Sequence, residues 1–406
     1  MKILVFTSLY PNNVCPNHGV FVKERMTAFA RLDGCETRVI APVPYFPPVH
    51  LTDRVRYRQV TPIEIIEGVP VYHPRYPMIP KLAMSFHGLG MFIGALPVVR
   101  RLKREFDFDA IDAHYVYPDG FAAVLLARYF GVPMVVSARG SDISQFSEFP
   151  IVRRFLRYTL NRANHAIAVC DALKVAMMEL GCESRKIAVI PNGVDTKKFH
   201  PIQKQEAKAR LGLSDTRLVV SVGGLIPRKG HDLLLKGFQQ LLVARGRRDV
   251  MLAIIGEGPL RKTLEREIEI LGLRDCVRLV GAVPHHELIN WYSAADASCL
   301  ASSREGWANV ILESMACGTP VVATAVWGSP EIISTDRVGL LTACDPDDIA
   351  VALGKALERV WDRDEILAHA QQYTWRNAAE HVQAVLQGVI QESKGRTESL
   401  VARAQS

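Results

Sequence analysis

RLVVSVGGLIPRKGHDLLLKGFQQLLVA, residues 217–244, is the stretch whose reading decides the fold. An apolar run, RLVVSVGG (217–224), gives way to a glycine-bearing polar loop and then to an amphipathic pattern, HDLLLKGFQQLLVA (231–244). A short, continuously apolar run suits a strand covered on both faces, and a helix after it lets the next strand lie parallel. The pattern recurs in both directions. Downstream, strands are expected at VMLAIIG (250–256), CVRLVG (276–281), ASCLAS (297–302), TPVVAT (319–324) and GLLTA (339–343), with a helix at PLRKTLEREIEILG (259–272) among those between them. Upstream, they are expected at KILVFTS (2–8), ETRVIAP (36–42), AIDAH (110–114), PMVVSA (133–138), HAIAVC (165–170) and KIAVIP (186–191). Helical patterns such as FVKERMTAFARL (21–32) and DGFAAVLLARYF (119–130) separate them.

Periodicity stops among Pro, Gly, Asn and Lys at PNGVDTKKFHPIQK (191–204). The 406 residues thus read as two Rossmann-like, doubly wound α/β domains, 1–198 and 199–374. A terminal helix at 375–392 is expected to pack back toward the first domain, with a mobile polar tail at 393–406. Ligands of such sheets bind at the carboxyl ends of the strands, and two facing domains are expected to share one cleft.

Apolar types make up 49% of the chain and charged types 22%, which excludes a disordered scaffold, a collagen-like fibre and a stapled mini-protein. The 49 basic residues against 42 acidic ones give +7, a surplus too modest to indicate a nucleic-acid partner. It suits an anionic small molecule or an anionic membrane face. The eight cysteines lie far apart, with no CxxC or Cys/His cluster, and read as reduced, structural thiols. MKILVFTSLYP turns polar too soon for a signal peptide and reads as an opening strand, so a cytoplasmic protein is expected. The longest apolar stretch, AMSFHGLGMFIGALPVV (83–99), contains His87 and ends near Pro97, short of a spanning helix. Its basic flanks, Lys81 and then Arg100, Arg101, Lys103 and Arg104, leave two readings: a buried helix with a solvated end, or a surface resting on anionic lipid. VRRFLRYTLNR (152–162) adds to the second.

The segment SSREGWANVILESMACGTPVVAT (302–324) carries the most chemical information. A strand ends in a polar loop holding Glu305, and a helix is expected to begin near Asn309 or Val310 with Glu313 a turn inside it. A helix N-terminus with unpaired N–H groups suits a phosphate. The two glutamates can address different parts of one extended ligand, or be a loop acid and a solvated helix charge. SVGGLIPRKGHD (221–232) brings Gly224, Arg228 and Lys229 into a strand-to-helix loop where a diphosphate could be approached and neutralised, without P-loop spacing. GEGP (256–259), with Gly258, lacks the third glycine of a dinucleotide fingerprint, and a strand-to-helix turn explains it equally well. In the first half, DAHYVYPDGFAA (112–123) puts His114 at a strand end, where it is either a catalyst or a packed core residue. DFD (107–109) precedes its strand, at the wrong end of the sheet for a metal site, and DPD (345–347) and DRD (362–364) stand at expected helix starts. No metal and no cofactor are assigned.

Taken together these segments resemble the family-4 retaining glycosyltransferases of the GT-B fold. The resemblance runs through SLYPNNVCPNHGVFVKER, DAHYVYPDG, IPNGVDTKKF, VGGLIPRKG, IIGEGP, LVGAVPHHEL and WYSAAD, and its most specific piece is EGWANVILE with MACGTPVVAT. It implies transfer of a sugar from a nucleotide-diphosphate donor, UDP- or GDP-linked, with retention at the anomeric carbon. Glu305 would hold hydroxyls of the donor sugar, Glu313 the ribose, and Lys229 the diphosphate. His114 would lie against the sugar, and Gly19 would meet the donor phosphates or the acceptor. Backbone groups of Trp307, Ala308, Asn309 and Val310 would cap the phosphates and sugar. The family's VGRL is here VGGL, with Gly224 for the arginine, and its HGSD is here Arg139-Gly140-Ser141-Asp142. The expectation is that Arg228 or Arg139 replaces the missing charge. Front-face attack and double displacement through Glu305 both remain open. The acceptor would be a saccharide or lipid-linked saccharide of cell-surface polysaccharide synthesis, met at the cytoplasmic face of the inner membrane. The alternative is a non-catalytic, sugar-nucleotide-binding homologue that organises an assembly complex.

Overall fold

The computed structural model describes residues 1–45, 57–78, 84–213, 216–245 and 249–405. Lys81, Ala83 and Ser406, on which readings above touch, lie outside them. The chain divides into two compact units, Met1–Asn192 with Trp375–Ser406, and Gly193–Thr374.

Among the described residues the first unit has ten strands: β1 (Lys2–Phe6), β2 (Glu36–Ile40), β3 (Val43–Tyr45), β4 (Ile63–Ile66), β5 (Val69–Tyr72), β6 (Arg75–Pro77), β7 (Ala110–His114), β8 (Met134–Ser137), β9 (His165–Ala168) and β10 (Ile187–Val189). Its main sheet runs β10-β9-β8-β7-β1-β2-β5-β4, and β3 pairs with β6 in a small second sheet. Every pairing is parallel except β4 with β5, a hairpin that turns at Glu67 and Gly68, with φ of 51° and 82°. Sequence reading missed this hairpin. IEII and VPVY are four residues each, and β4 alternates exposed with half-buried positions, so neither shows the continuous apolar run used above.

The second unit holds β11 (Arg217–Val222), β12 (Val250–Ile255), β13 (Val277–Gly281), β14 (Ala297–Leu300), β15 (Val321–Thr324) and β16 (Gly339–Thr342). They are ordered β13-β12-β11-β14-β15-β16, all parallel. Counted along this unit, that is third–second–first–fourth–fifth–sixth, the order of a doubly wound nucleotide-binding sheet. Such an order reverses between its first and fourth strands, β11 and β14, which is where sheets of this kind bind their ligands. In the first unit the reversal falls between β1 and β7.

Each unit has its own core. In the second, Val219, Leu252 and Ile254 of the sheet pack with Leu234, Phe238 and Leu353 of flanking helices, all buried. In the first, Ile3, Val5 and Val135 meet Val22, Met26 and Phe29 of the helix Val20–Ala30, and then Ala379, Val382 and Leu386 of the last helix. Fully burying side chains of this size stabilises by about 1.5–3 kcal/mol each. The last helix therefore completes the first unit's core. It runs from Trp375 to Gln405, so the helix continues past 392, where it was expected to end. The residues past 392 contain no proline and several strong helix formers, and an established helix extends through them at little further cost.

The acids set aside above have structural partners. Asp109 accepts the Lys2 N–H at 2.8 Å, Asp107 pairs with Lys103, and Asp345 and Asp362 cap the helices Pro346–Glu358 and Arg363–Gln371. Among the described residues no group of three or more His, Cys, Asp or Glu side chains could hold a metal, and no helix is long and apolar enough to cross a membrane.

Candidate active site

At the reversal point of the second unit, the loop after β11 crosses the loop after β14 at close range. Gly230 makes this possible: its φ is +63°, and a Cβ there would stand 2.0 Å from the Ala301 carbonyl oxygen. The Ser303 N–H then donates to the Arg228 carbonyl at 2.9 Å. The loop after β12 is held equally tightly, since a Cβ on Gly258 would meet the Leu225 carbonyl oxygen at 2.4 Å and Leu225 donates to Glu257 at 2.9 Å. Gly258 is thus packed tightly against the loop after β11. Gly224 differs. A Cβ there would meet only the Glu257 carbonyl oxygen, at 3.7 Å, so the position has room for a side chain that this sequence does not supply.

The crossing brings three sequence-predicted residues together. Lys229 Nζ donates to Glu305 Oε1 at 2.5 Å, Arg228 Nη1 to Oε2 at 3.3 Å, and Ser302 Oγ to Oε1 at 2.7 Å. Glu305 is buried, and Arg228 also donates to the Arg304 carbonyl at 2.9 Å. Burial alone would raise the Glu305 carboxyl, but Lys229 and Arg228, with hydrogen bonds from Lys229 and Ser302, outweigh it and hold it below the ordinary range. The result is an ionised carboxylate gripped by two cations. Next to it, burial brings the His231 imidazole down to about 4, the Gly223 and Gly224 backbone opposing and Lys229 adding to the shift, so that ring is neutral.

Glu313 stands apart from this group. The helix that carries it, Asn309–Ala316, starts after Ala308, at the position the sequence suggested, and carries the positive end of the helix dipole there. Trp307 and Ala308 are buried, the Trp307 ring lying 5.6 Å from Tyr373, while Asn309 and Val310 are half-buried. Glu313 is itself buried, against the reading of a solvated helix charge. Its Oε1 meets His285 Nε2 at 2.9 Å and its Oε2 accepts the Tyr292 hydroxyl at 3.1 Å. Burial, then the Glu313 charge, raises the Tyr292 phenol well above its ordinary value and keeps it a donor.

In the first unit the loops after β1 and β7 are tied together: the Ser8 N–H and hydroxyl both bond Asp119, the latter at 3.1 Å. Gly19 ends the loop after β1 at φ +65°, where a Cβ would strike the Leu9 carbonyl at 2.3 Å. Asp112 and His114 are two residues apart on β7 and so share a face. His114 is fully buried, its Nε2 3.3 Å from Asp112 Oδ2 and its Nδ1 accepting from Arg139. Arg25, fully buried, lies 3.5 Å from the same Asp112 oxygen and donates to Ser137 Oγ at 2.6 Å. Burial lowers the His114 imidazole, Asp112 pulls the other way, Arg139 and Arg25 add to the lowering, and the ring settles at about 3. His114 thus sits at the strand end within a buried polar network, and its ring is neutral. Arg139 also donates to Asn192 Oδ1 at 3.0 Å, within this unit. Asp142 accepts the N–H groups of Val116, Arg139 and Gly140 at 2.8–3.0 Å, so its carboxylate organises the strand-end loops.

Sequence reading did not single out Asp112, Arg25, Asp119, His285 or Tyr292. Asp112 was legible in principle from its spacing to His114. The others meet their partners only through the tertiary fold.

The sequence signature of Glycosyltransferase Family 4 matches residues 19–198, and that of Glycosyl transferases group 1 matches residues 203–374. A Bacillus subtilis protein, TuaC, named as a glycosyltransferase of teichuronic acid biosynthesis, is 30% identical over 89% of this chain and 90% of its own. The GDP-mannose-dependent alpha-(1-6)-phosphatidylinositol monomannoside mannosyltransferase of Mycolicibacterium smegmatis is 29% identical over 71% of this chain and 74% of its own. Among solved structures, Anabaena HepE in complex with UDP superposes with a TM-score of 0.72 at 20% identity, covering 96% of this chain and 100% of that one. That likeness establishes a shared GT-B fold.

Proposed function

Because this chain belongs to the family-4, group 1 glycosyltransferases, we propose that it moves a sugar, with retention, from a UDP- or GDP-linked donor to a saccharide or lipid-linked acceptor of cell-surface polysaccharide synthesis. The observation that carries the donor side is the Lys229–Glu305–Arg228 cluster at the reversal point of a nucleotide-type sheet. As the bond from the anomeric carbon to the diphosphate breaks, charge grows on the leaving phosphate. Lys229, Arg228 and the positive dipole end of the helix Asn309–Ala316 are the groups that would stabilise it. Glu305 would hold hydroxyls of the sugar, and Glu313 those of the ribose.

Both Glu305 oxygens already have cationic or hydroxyl partners. A carboxylate so engaged is a poor nucleophile, which favours front-face attack. The leaving phosphate oxygen then takes the acceptor hydroxyl's proton while the acceptor oxygen bonds the same face of the anomeric carbon. In this role Arg228, beside Lys229, stands in for the arginine absent at Gly224. His114, Asp112 and Arg139 would shape the first unit's strand ends, with Gly19 fixing the first loop. The product's anomeric configuration tests the reading: an α-linked donor should give an α-linked product.

The acceptor's lipid would be met through the first unit. Phe86, Leu89 and Ile93 stand exposed along the start of the helix His87–Phe106, and Arg100, Arg101 and Arg104 are exposed toward its end. The helix Pro150–Arg162 likewise exposes Ile151, Arg153, Arg154 and Arg157. Apolar side chains beside arginines suit an anionic membrane face. Replacing Arg100, Arg101 and Arg104 with Gln should weaken binding to anionic vesicles by at least about tenfold, at roughly 1 kcal/mol per basic residue. Unchanged co-sedimentation would return the helix to an ordinary solvated surface.

A further inference from the structure

Three ring-bearing side chains surround the Glu313 carboxylate. His285, just after β13, and Tyr292, from the helix Leu288–Ala294, engage one oxygen each, at 2.9 and 3.1 Å. Phe199 packs edge-on against both rings, with centroids 5.1 Å from His285 and 6.0 Å from Tyr292. Two donors on opposite oxygens fix the carboxylate plane. Each oxygen keeps a second lone pair, so the group can still accept two further hydrogen bonds side by side. A vicinal diol offers such a pair of donors.

We propose that His285, with Tyr292, is a positioning residue that makes Glu313 selective for a ribose over a 2′-deoxyribose. The inference rests on the reading of Glu313 as the ribose contact. Selectivity needs rigidity here: a carboxylate free to rotate could follow a single remaining hydroxyl, or let water replace the missing one. A fixed, buried carboxylate cannot, and is left with an unmet acceptor when a hydroxyl is absent. His285 is the more telling partner, because its ring is about one-third exposed and adds little to the core. Its removal should loosen the carboxylate without unfolding the unit.

The test compares affinities of the full-length protein for UDP, GDP and their 2′-deoxy counterparts by titration calorimetry. The wild type should bind whichever ribonucleotide it accepts at least about tenfold tighter than the deoxy form. His285→Ala should bring the ratio below about threefold, mainly by improving the deoxy form relative to the ribo form. His285→Gln, which keeps an N–H donor, should restore most of it, a rescue that a merely structural role would not give. Lys229→Ala should weaken both forms alike and leave the ratio unchanged. An unchanged ratio in His285→Ala, or a wild-type ratio near one despite tight ribonucleotide binding, overturns the inference while leaving the donor reading standing. Failure of the wild type to bind either nucleotide overturns both.

Discussion

Glu305→Gln is expected to lower the rate of sugar transfer by roughly a hundred- to a thousandfold while leaving the chain folded. The substitution conserves shape and removes the charge that Lys229 and Arg228 share. Gln can still accept from Ser302 and Lys229, but its amide nitrogen then faces Arg228 with a donor where an acceptor is needed. Lys229 is 14% exposed and Arg228 31%, so both reach water once the carboxylate is gone. The loss of stability should therefore fall at or below the low end of what breaking a buried pair costs, about 3 kcal/mol. A bound diphosphate would itself satisfy the two cations, so donor affinity should change less than about tenfold. The fall belongs in kcat, because what is lost is the hold on the sugar as its bond to phosphate breaks. Steady-state kinetics on the purified variant decide it, and turnover within tenfold of the wild type would remove Glu305 from the chemistry.

The second large effect concerns stability. Asp112→Ala should destabilise the first unit by about 3–5 kcal/mol. Arg25 is fully buried, with Asp112 at 3.5 Å and Ser137 at 2.6 Å, while its Nε and Nη1 have no hydrogen-bond partner among the described residues. Alanine would leave that guanidinium in the core without its anion. The pH dependence of the wild type follows from the same network. His114 ionises at about 3 in the folded chain and near 6.5 when unfolded, so the unfolded state takes up the proton first as pH falls. Stability is complete above pH about 6.5 and declines below it. Burial would raise Asp112, but His114 and Arg25 prevail and hold it below its ordinary range, which adds a further loss once pH falls through that lowered value. Denaturant unfolding at pH 7.5 and 5.5 tests both statements. An Asp112→Ala midpoint matching the wild type, or a wild type equally stable at the two pH values, would show that the network does not carry this load.

The larger architecture was legible because it rests on repetition. Strand after strand is a short apolar run closed by a glycine or polar loop, and the twelve expected strands all lie within the two main sheets. The hairpin of β4 and β5 was not legible, since β4 has no buried position and β5 carries Pro70 inside its short apolar run. In the site, Lys229, Arg228 and Glu305 could be nominated from their loops, but their meeting depends on Gly230 letting two loops cross. Glu313 was nominated without its partners, because His285 and Tyr292 lie 28 and 21 residues away on other elements. His114 shows the opposite case. Its strand-end position was plain, yet the network around it draws on Arg25, whose full burial runs against the habit of arginine and has no local signal, and on half-buried Arg139. The extension of the last helix past 392 was not legible because polar, mixed charge is equally the composition of a loop and of a solvated helix.

The most direct test of the central claim is the anomeric configuration of the product, read by proton NMR. The enzyme is incubated with α-linked UDP- and GDP-sugars and saccharide or lipid-linked acceptors. The account predicts release of the nucleoside diphosphate and an α-linked product, both lost in Glu305→Gln. A β-linked product, or donor that binds tightly and is never turned over, would contradict it.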